Sequence, residues 1–310
     1  MKILVTGGAG FIGSHVVDIL LDAGHQVAIV DNLWKEGGGR MENVNPRATF
    51  YHMDIRDAAL AEVFDKERPE AICHLAAQHS VKISTDDPAH DAQVNILGLI
   101  NILQNATRTG TRKIVFSSSG ATYGTADKMP VDENTPQRPE SPYGITKMAT
   151  EWYLRFWKAM HDLDFTALRY GNVYGPRQDP NGEAGVIAIF AQQILLNKPV
   201  RIDWDGEQQK DYVYAGDVAR ANLLALTRGG GETYCVATGY GTSVNALYRG
   251  LVKHVGHEVE IVRAPKRAGD IYLTYFDCRK AEKELGWKAE VSLDEGMQRT
   301  VEYFKKSLNK

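Results

Sequence analysis

Residues Met1–Gly13 read MKILVTGGAGFIG. Ile3-Leu4-Val5 is an apolar run too short for a helix and rich in branched side chains, which reads as a strand buried on both faces. Gly7-x-x-Gly10-x-x-Gly13 follows and runs into Ser14–Leu21, whose apolar spacing is helical. Strand, glycine turn and helix in that order make a seat for the pyrophosphate of a dinucleotide. Gly7 permits the tight turn, Gly10 lets a phosphate reach the backbone, and Gly13 lets the helix pack on the strand. The free N–H groups and partial positive charge of the helix N-terminus then face the anion. The next strand, Gln26–Val30, ends at Asp31, eighteen residues after Gly13. A carboxylate there accepts from both ribose hydroxyls and repels a 2′-phosphate, so the pattern favours NAD over NADP.

At 310 residues and 34.4 kDa the chain has room for one large or two ordinary domains. Its 43% apolar and 24% charged residues are those of a soluble globular protein. A net charge of −3, with no basic block, gives no expectation of nucleic acid or an anionic membrane as partner. No apolar run approaches the ~20 residues that span a bilayer. The N-terminus reads as a strand and not as a secretory segment. Cys73, Cys235 and Cys278 are odd in number and widely spaced, which predicts free thiols in a reducing cytoplasm and no metal site.

Through residue 116 strands alternate with helices. Strands are expected at Lys2–Thr6, Gln26–Val30, Ala48–His52, Ala71–Leu75 and Lys113–Phe116, and helices at Gly13–Ala23, Asp57–Lys66, Ala89–Thr107 and Tyr143–His161. The alternation predicts an α/β fold, a doubly wound parallel sheet covered on both faces. Ligands in such sheets lie beyond the carboxyl ends of the strands. There the chain carries the loop Asp31–Arg40, either a surface connection or a cover for the adenosine. Next comes Asp54, placed either to accept from the adenine amino group or to cap a helix. His74-Leu75-Ala76-Ala77-Gln78 follows, with small residues that let a cofactor lie against the sheet and a histidine read as structural. Asn95 interrupts a helix pattern and is read as tying backbone together below the site.

The fifth strand runs into Ser117-Ser118-Ser119, and Ser141-Pro142-Tyr143-Gly144-Ile145-Thr146-Lys147 opens a helix. Ser141 suits the N-cap and Pro142 the first helical position, so Tyr143 and Lys147 share one face. A tyrosine with a pKa near ~10 is a poor base at neutral pH. The Lys147 ammonium and a positive nicotinamide ring would favour the phenolate. Tyr143 would then take a proton from a substrate hydroxyl while hydride leaves the same carbon, and Ser119 would bond that hydroxyl.

Thr6–Gly13, the Ser119/Tyr143/Lys147 set, and Arg169-Tyr-Gly-Asn-Val-Tyr-Gly-Pro-Arg177 resemble the extended short-chain dehydrogenase/reductases, and among them the UDP-glucose (galactose) 4-epimerases. The resemblance spans the chain. It implies a Rossmann domain over about 1–172 with a return segment at about 211–238, and a smaller mixed α/β substrate domain from 173–210 and 239–310. It also implies a tightly held NAD, reduced and reoxidised in each turnover as C4 of UDP-galactose or UDP-glucose is inverted through a 4-keto sugar. Carried over by position, Phe11, Ile12, Asp31, Asn32, Asp54, Ile55, Leu75, Ala76, Ala77, Gln78, Asn95, Ser117, Tyr143, Lys147 and Tyr170 line the cofactor. Ser119, Asn172, Val186, Lys210, Arg267, Asp270 and Thr274 belong to the sugar nucleotide.

Three positions bear on the substrate. Lys210 stands where the family usually has arginine, giving charge without a bidentate fork for the diphosphate. Trp204 stands where glycine is common, as either a rim residue or a stacking surface. Thr274 falls at a gate beside the sugar C2 substituent, and its small size would admit UDP-N-acetylhexosamines, whereas a slip to Tyr275 would exclude them. A UDP-glucuronate 4-epimerase is a further alternative. A 4,6-dehydratase is disfavoured because Gly120 and Ala121 follow Ser119 where that reaction needs an acid. A non-catalytic NAD sensor is disfavoured because tyrosine and lysine are both present. The resemblance implies a homodimer paired through the Ala89–Thr107 and Tyr143–His161 helices, the second of which carries Trp152, Tyr153, Phe156 and Trp157 either for that interface or for the chain's own sheet.

Overall fold

Branched apolar residues make Lys2–Thr6 (β1) an interior strand of the computed structural model, which describes residues 1–181, 185–266 and 271–308. The chain continues through α1 (Phe11–Asp22), β2 (Gln26–Asp31), β3 (Thr49–His52), α2 (Leu60–Glu67), β4 (Ala71–His74), α3 (Val81–Asp86), α4 (Pro88–Ala92) and α5 (Gly98–Thr109). Then come β5 (Lys113–Ser119), α6 (Pro142–His161), β6 (Asp164–Tyr170), β7 (Asn172–Tyr174), α7 (Val186–Leu195), β8 (Val200–Asp203), β9 (Gln209–Lys210), β10 (Tyr212–Tyr214), α8 (Ala215–Ala225) and β11 (Glu232–Val236). It closes with β12 (Thr242–Ser243), α9 (Val244–Val255), β13 (Ile261–Ala264), β14 (Leu273–Thr274) and α10 (Leu293–Leu308).

Seven parallel strands form the main sheet in the order β11-β6-β5-β4-β1-β2-β3. Alternation along β1 sends Ile3 and Val5 to one face, against Val16, Val17 and Leu20 of α1 and Val218 of α8. Leu4 goes to the other face, against Phe64 of α2, Ile102 of α5 and Leu154 of α6. Burial on both faces explains why the strands read as continuous apolar runs. The strand order reverses direction between β1 and β4, so their carboxyl ends open the cleft in which such sheets bind ligands.

A third core lies beyond the sheet, where Phe190 of α7, Leu247 of α9 and Val301 of α10 pack with Ile202 of β8. Ala281, Leu285 and Trp287 return from that region to the sheet core beside α8. Two short sheets, β12-β9-β14 and β13-β8, edge this lobe.

Three differences from the expected elements bear on the site. The fifth strand, expected to end at Phe116, extends to Ser119 and pairs with β6 through Ser119–Tyr170. The helix expected from Asp57 starts at Leu60, because Asp54 and Asp57 carbonyls are taken up by turn bonds from Asp57 and Leu60. The long helix expected over 89–107 contains a widened turn, Gln93–Leu97, between α4 and α5. Such turns often mark functional sites, and this one holds Asn95.

Candidate active site

The cofactor half of the cleft is built from backbone. Gly7 adopts φ +74°, and a Cβ there would stand 2.6 Å from the Ala76 nitrogen, so β1 and the end of β4 approach as only glycine allows. A Cβ on Gly13 would run into the Gly7 carbonyl. At Gly10 a Cβ would meet only the Gly7 oxygen, at 3.2 Å, and would fill the space before α1. Gly10 is the N-cap of α1 and offers no side-chain cap, and no acidic residue stands in the first turn. The donors of Phe11, Ile12 and Gly13 are thus left for an anion, which fits a dinucleotide pyrophosphate.

Asp31 ends β2, buried, with Oδ2 accepting from Ala9 N at 2.9 Å and Oδ1 from Leu33 N at 2.8 Å. Burial raises its pKa against those two bonds. Each oxygen keeps one acceptor site for a ribose hydroxyl. Asn32 donates to Asp54 Oδ2 at 2.8 Å, and Arg56 grips Asp54 through Nε and Nη2. The Arg56 bonds hold the Asp54 carboxyl down at about 2. Asp54 therefore caps no helix, and its acceptors are engaged within the loop. Ile55 is a core residue, closed over by Gly98.

Leu75, Ala76 and Ala77 are half-buried at the cleft wall. His74 is structural: it shares a 2.7 Å bond with the Thr6 hydroxyl, and burial beside Lys147 pushes it down to about 3. The Gln78 side chain turns away from the cleft. Its amide nitrogen bonds Ser80 O and Asp91 Oδ1, and its backbone N donates to Asn95 Oδ1 at 3.0 Å. Asn95 returns a bond to Gln78 O and reaches Asp91 and Thr146, the tie read from its unfavourable place in a helix. Gln78 and Asn95 thus shape the floor under the cofactor space through other groups, and their side chains do not face it.

The catalytic half is built from side chains. Ser141 caps α6 by accepting from Gly144 N, with Pro142 at its start. Tyr143 remains partly open to the cleft. Burial pushes its phenol up to about 12; a bond from Ser119 opposes this and the Asp91 charge adds to it. Lys147 is 4% exposed, donates to Ser117 O at 2.7 Å, and lies 4.8 Å from the Phe116 ring and 5.8 Å from that of Tyr143. Burial pulls its ammonium down to about 8, with Asp91 acting the other way. The Lys147 ammonium and a positive nicotinamide ring together are expected to favour the phenolate. In the protein alone desolvation wins, and the tyrosine rises. Ser119 Oγ, at the end of β5, accepts from Ala121 N at 3.1 Å. Tyr170 is buried, its hydroxyl bonded by Asn222 at 2.8 Å.

On the substrate side Asn172 is exposed at the start of β7 and Val186 opens α7. Lys210 Nζ donates to the Ile271 carbonyl at 2.7 Å, so at least part of its donor capacity holds the backbone beside β14. Arg267 and Asp270 lie outside the described residues. Thr274 is half-buried, and its hydroxyl is buried with no hydrogen-bond partner. Phe276, two residues on, closes over Gly120 beside Ser119. Thr274 ends β14 and Tyr275 follows just beyond it. Trp204 is half-buried at φ +61°, with Tyr272 edge-on at 4.8 Å and Lys266 over its ring at 4.2 Å.

Sequence reasoning missed three groups. Asp91 is fully buried and accepts from Gln78, Asn95 and Thr146. Glu151 pairs with Arg169 at 2.6 Å and accepts from Ser118, locking β5 and β6 to α6. Asp211 collects Thr238, Gly239 and Phe276 N–H groups and thereby places the chain over Gly120. The one available signal was that Asp91 lies four residues before Asn95, on the same helix face.

A family model described as GDP-mannose 4,6 dehydratase matches residues 4–300. A UDP-glucose 4-epimerase of Mycolicibacterium smegmatis is 43% identical over 312 residues, covering 98% of this chain and 99% of that one. The crystal structure of a Thermotoga maritima UDP-glucose 4-epimerase with UDP-glucose is 49% identical, covers 99% of this chain and 100% of its own, and superposes with a TM-score of 0.96. A Thermus thermophilus UDP-glucose 4-epimerase in complex with NAD is 42% identical over 98% of this chain and 99% of its own, with a TM-score of 0.93.

Proposed function

The chain belongs to the extended short-chain dehydrogenase/reductase family, and from that premise we propose how its residues carry out NAD-dependent 4-epimerisation of UDP-glucose and UDP-galactose. The observation that carries the reading is the convergence of Ser119, Tyr143 and Lys147 beside an uncapped glycine-turn helix. Bound NAD supplies the hydride acceptor and donor at C4 and a positive charge beside the phenol.

Tyr143, as the phenolate that the Lys147 ammonium and the bound nicotinamide ring would favour over the neutral phenol of the protein alone, takes the proton of the C4 hydroxyl as the 4-keto sugar forms, and gives it back when the opposite face is reduced. Ser119 bonds the same oxygen and holds it at the phenol. Lys147, anchored to Ser117 O, supplies positive charge behind the tyrosine. A 4,6-dehydratase would need an acid beside Ser119. A Cβ at Gly120 would lie 2.5 Å from Phe276 Cζ, so that position holds no side chain. On the sugar side the small Thr274, with an unpartnered hydroxyl, leaves room and a hydrogen bond for a larger C2 substituent. UDP-N-acetylglucosamine is therefore a second substrate in this reading.

The exposed apolar side of α6 supports a homodimer. Trp152, Phe156 and Met160 are 64%, 53% and 63% exposed, and Ile145 and Leu97 extend the stripe. Tyr153 and Trp157 pack on the chain's own core instead. A stripe of this kind covers itself against its own copy about a two-fold axis. A monomeric mass by light scattering at micromolar concentration contradicts the dimer. Among the described residues no helix is long and apolar enough to cross a membrane. Three free thiols fit a reducing compartment, and we assign the cytoplasm.

Purified protein is to be incubated with UDP-galactose and, separately, UDP-N-acetylglucosamine, with no NAD added, and the products separated by chromatography. Conversion of the first to UDP-glucose is expected, and conversion of the second to its C4 epimer. No conversion of the first overturns the function. No conversion of the second alone overturns the role of Thr274.

A further inference from the structure

Asp91 and Lys147 are two buried charges, 0% and 4% exposed, whose direct partners among the described residues are neutral. The carboxylate accepts from Gln78 Nε2 at 2.7 Å, Asn95 Nδ2 at 3.0 Å and Thr146 Oγ1 at 2.8 Å. The ammonium donates to Ser117 O and rests against two aromatic rings. An isolated buried charge is costly, so each needs the other's field even without contact.

We propose that Asp91 is a positioning residue of the reaction: its buried carboxylate fixes Thr146, between Tyr143 and Lys147 on α6, and is the through-space counter-charge that keeps Lys147 an ammonium. The assignment rests on the catalytic roles given above to Tyr143 and Lys147.

The surroundings leave that task to Asp91. On α6, Glu151 is neutralised by Arg169 of β6 at 2.6 Å. Burial keeps Tyr143, Tyr170 of β6 and Cys73 of β4 in their neutral forms by raising each. His74 of β4 is held neutral by burial, at about 3. On α3, Lys82 and Asp86 pair with each other at the surface. Among these groups around Lys147, Asp91 is the carboxylate left without a cation of its own. Burial pulls Lys147 down while Asp91 holds it up.

The hydroxyl of Thr146 makes a clean test possible. It lies within bonding distance of both Asp91 Oδ2, at 2.8 Å, and the Tyr143 carbonyl, at 3.0 Å. In Asp91→Asn the new amide donates to Thr146, whose hydroxyl proton turns to Tyr143 O, while Oδ1 still accepts from Gln78 and Asn95. The variant removes charge and keeps the bonds.

The experiment is the pH profile of kcat for wild type and Asp91→Asn, with Asp91→Ser carrying the same comparison should the amide variant not fold. Lys147 Nζ is titrated in parallel by NMR of lysine-labelled protein, assigned with Lys147→Met. The expected result is unchanged KM, kcat lowered about fivefold at pH 8, and both the alkaline limb and the Lys147 titration moved about one pH unit to acid. An unmoved limb and titration in a folded variant overturn the proposal. Absence of turnover in wild type would instead overturn the function, leaving the NMR titration to decide the role of Asp91.

Discussion

The two halves of the cleft are made by opposite means. The cofactor half is a hollow formed by missing side chains at Gly7, Gly10 and Gly13, where the working groups are backbone N–H donors. The catalytic half is crowded with side chains whose charges have been taken out of water, Lys147 and Asp91 above all. A hollow is cheap to keep, because nothing in it is desolvated until a ligand arrives. A buried ammonium weakens the fold at every moment for the sake of one chemical step, the usual opposition of stability and activity.

The largest effect should come from filling the hollow. In Gly13→Val the branched side chain meets the Gly7 carbonyl, and α1 can no longer seat on β1. Loss of bound NAD and a steep fall in soluble yield are expected. A variant that purified with its cofactor would mean the turn is not the cradle.

The reverse response is expected in the other half. Lys147→Met should lower turnover by about a hundredfold or more. It should also raise stability at pH 7 by about 2 kcal/mol: ~3 from removing the buried charge, less ~1 for the bare Ser117 carbonyl. Because the folded amine titrates at about 8 and the unfolded one near 10.5, the burial penalty is full below 8 and fades as pH rises toward 10.5. The gap between variant and wild type in thermal melts should close over that window. A variant less stable than wild type at pH 7 would show that Lys147 also holds the fold together. Between these sits Tyr143→Phe, which should abolish turnover and leave bound NAD untouched, since the hollow does not use the phenol.

The same contrast explains what could be read from the sequence. The hollow was legible because glycine spacing, a buried strand and the acid at Asp31 are local patterns of backbone geometry. Tyr143 and Lys147 were legible as a pair on one helix face. Their protonation was not, because desolvation depends on what the remote strands and α4 bring alongside. Asp91 near the start of a helix looks like an ordinary dipole-facing acid, and only the tertiary fold buries it. The fifth strand read as ending at Phe116 because serine is a weak strand former, whereas the β6 ladder carries it on through Ser119. Lys210 read as a cation for the diphosphate, and the carbonyl of Ile271 that it meets is 61 residues away in sequence.

The central claim is that C4 itself is oxidised and reduced by a carrier that never leaves the protein. UDP-galactose carrying deuterium at C4 tests it most directly, with the UDP-glucose product examined by mass spectrometry and NMR. The account predicts that the deuterium stays on C4, in inverted configuration, with none lost to water. Deuterium exchanged for solvent hydrogen at C4 would contradict it, because Tyr143 would then be removing a proton from carbon rather than from the hydroxyl.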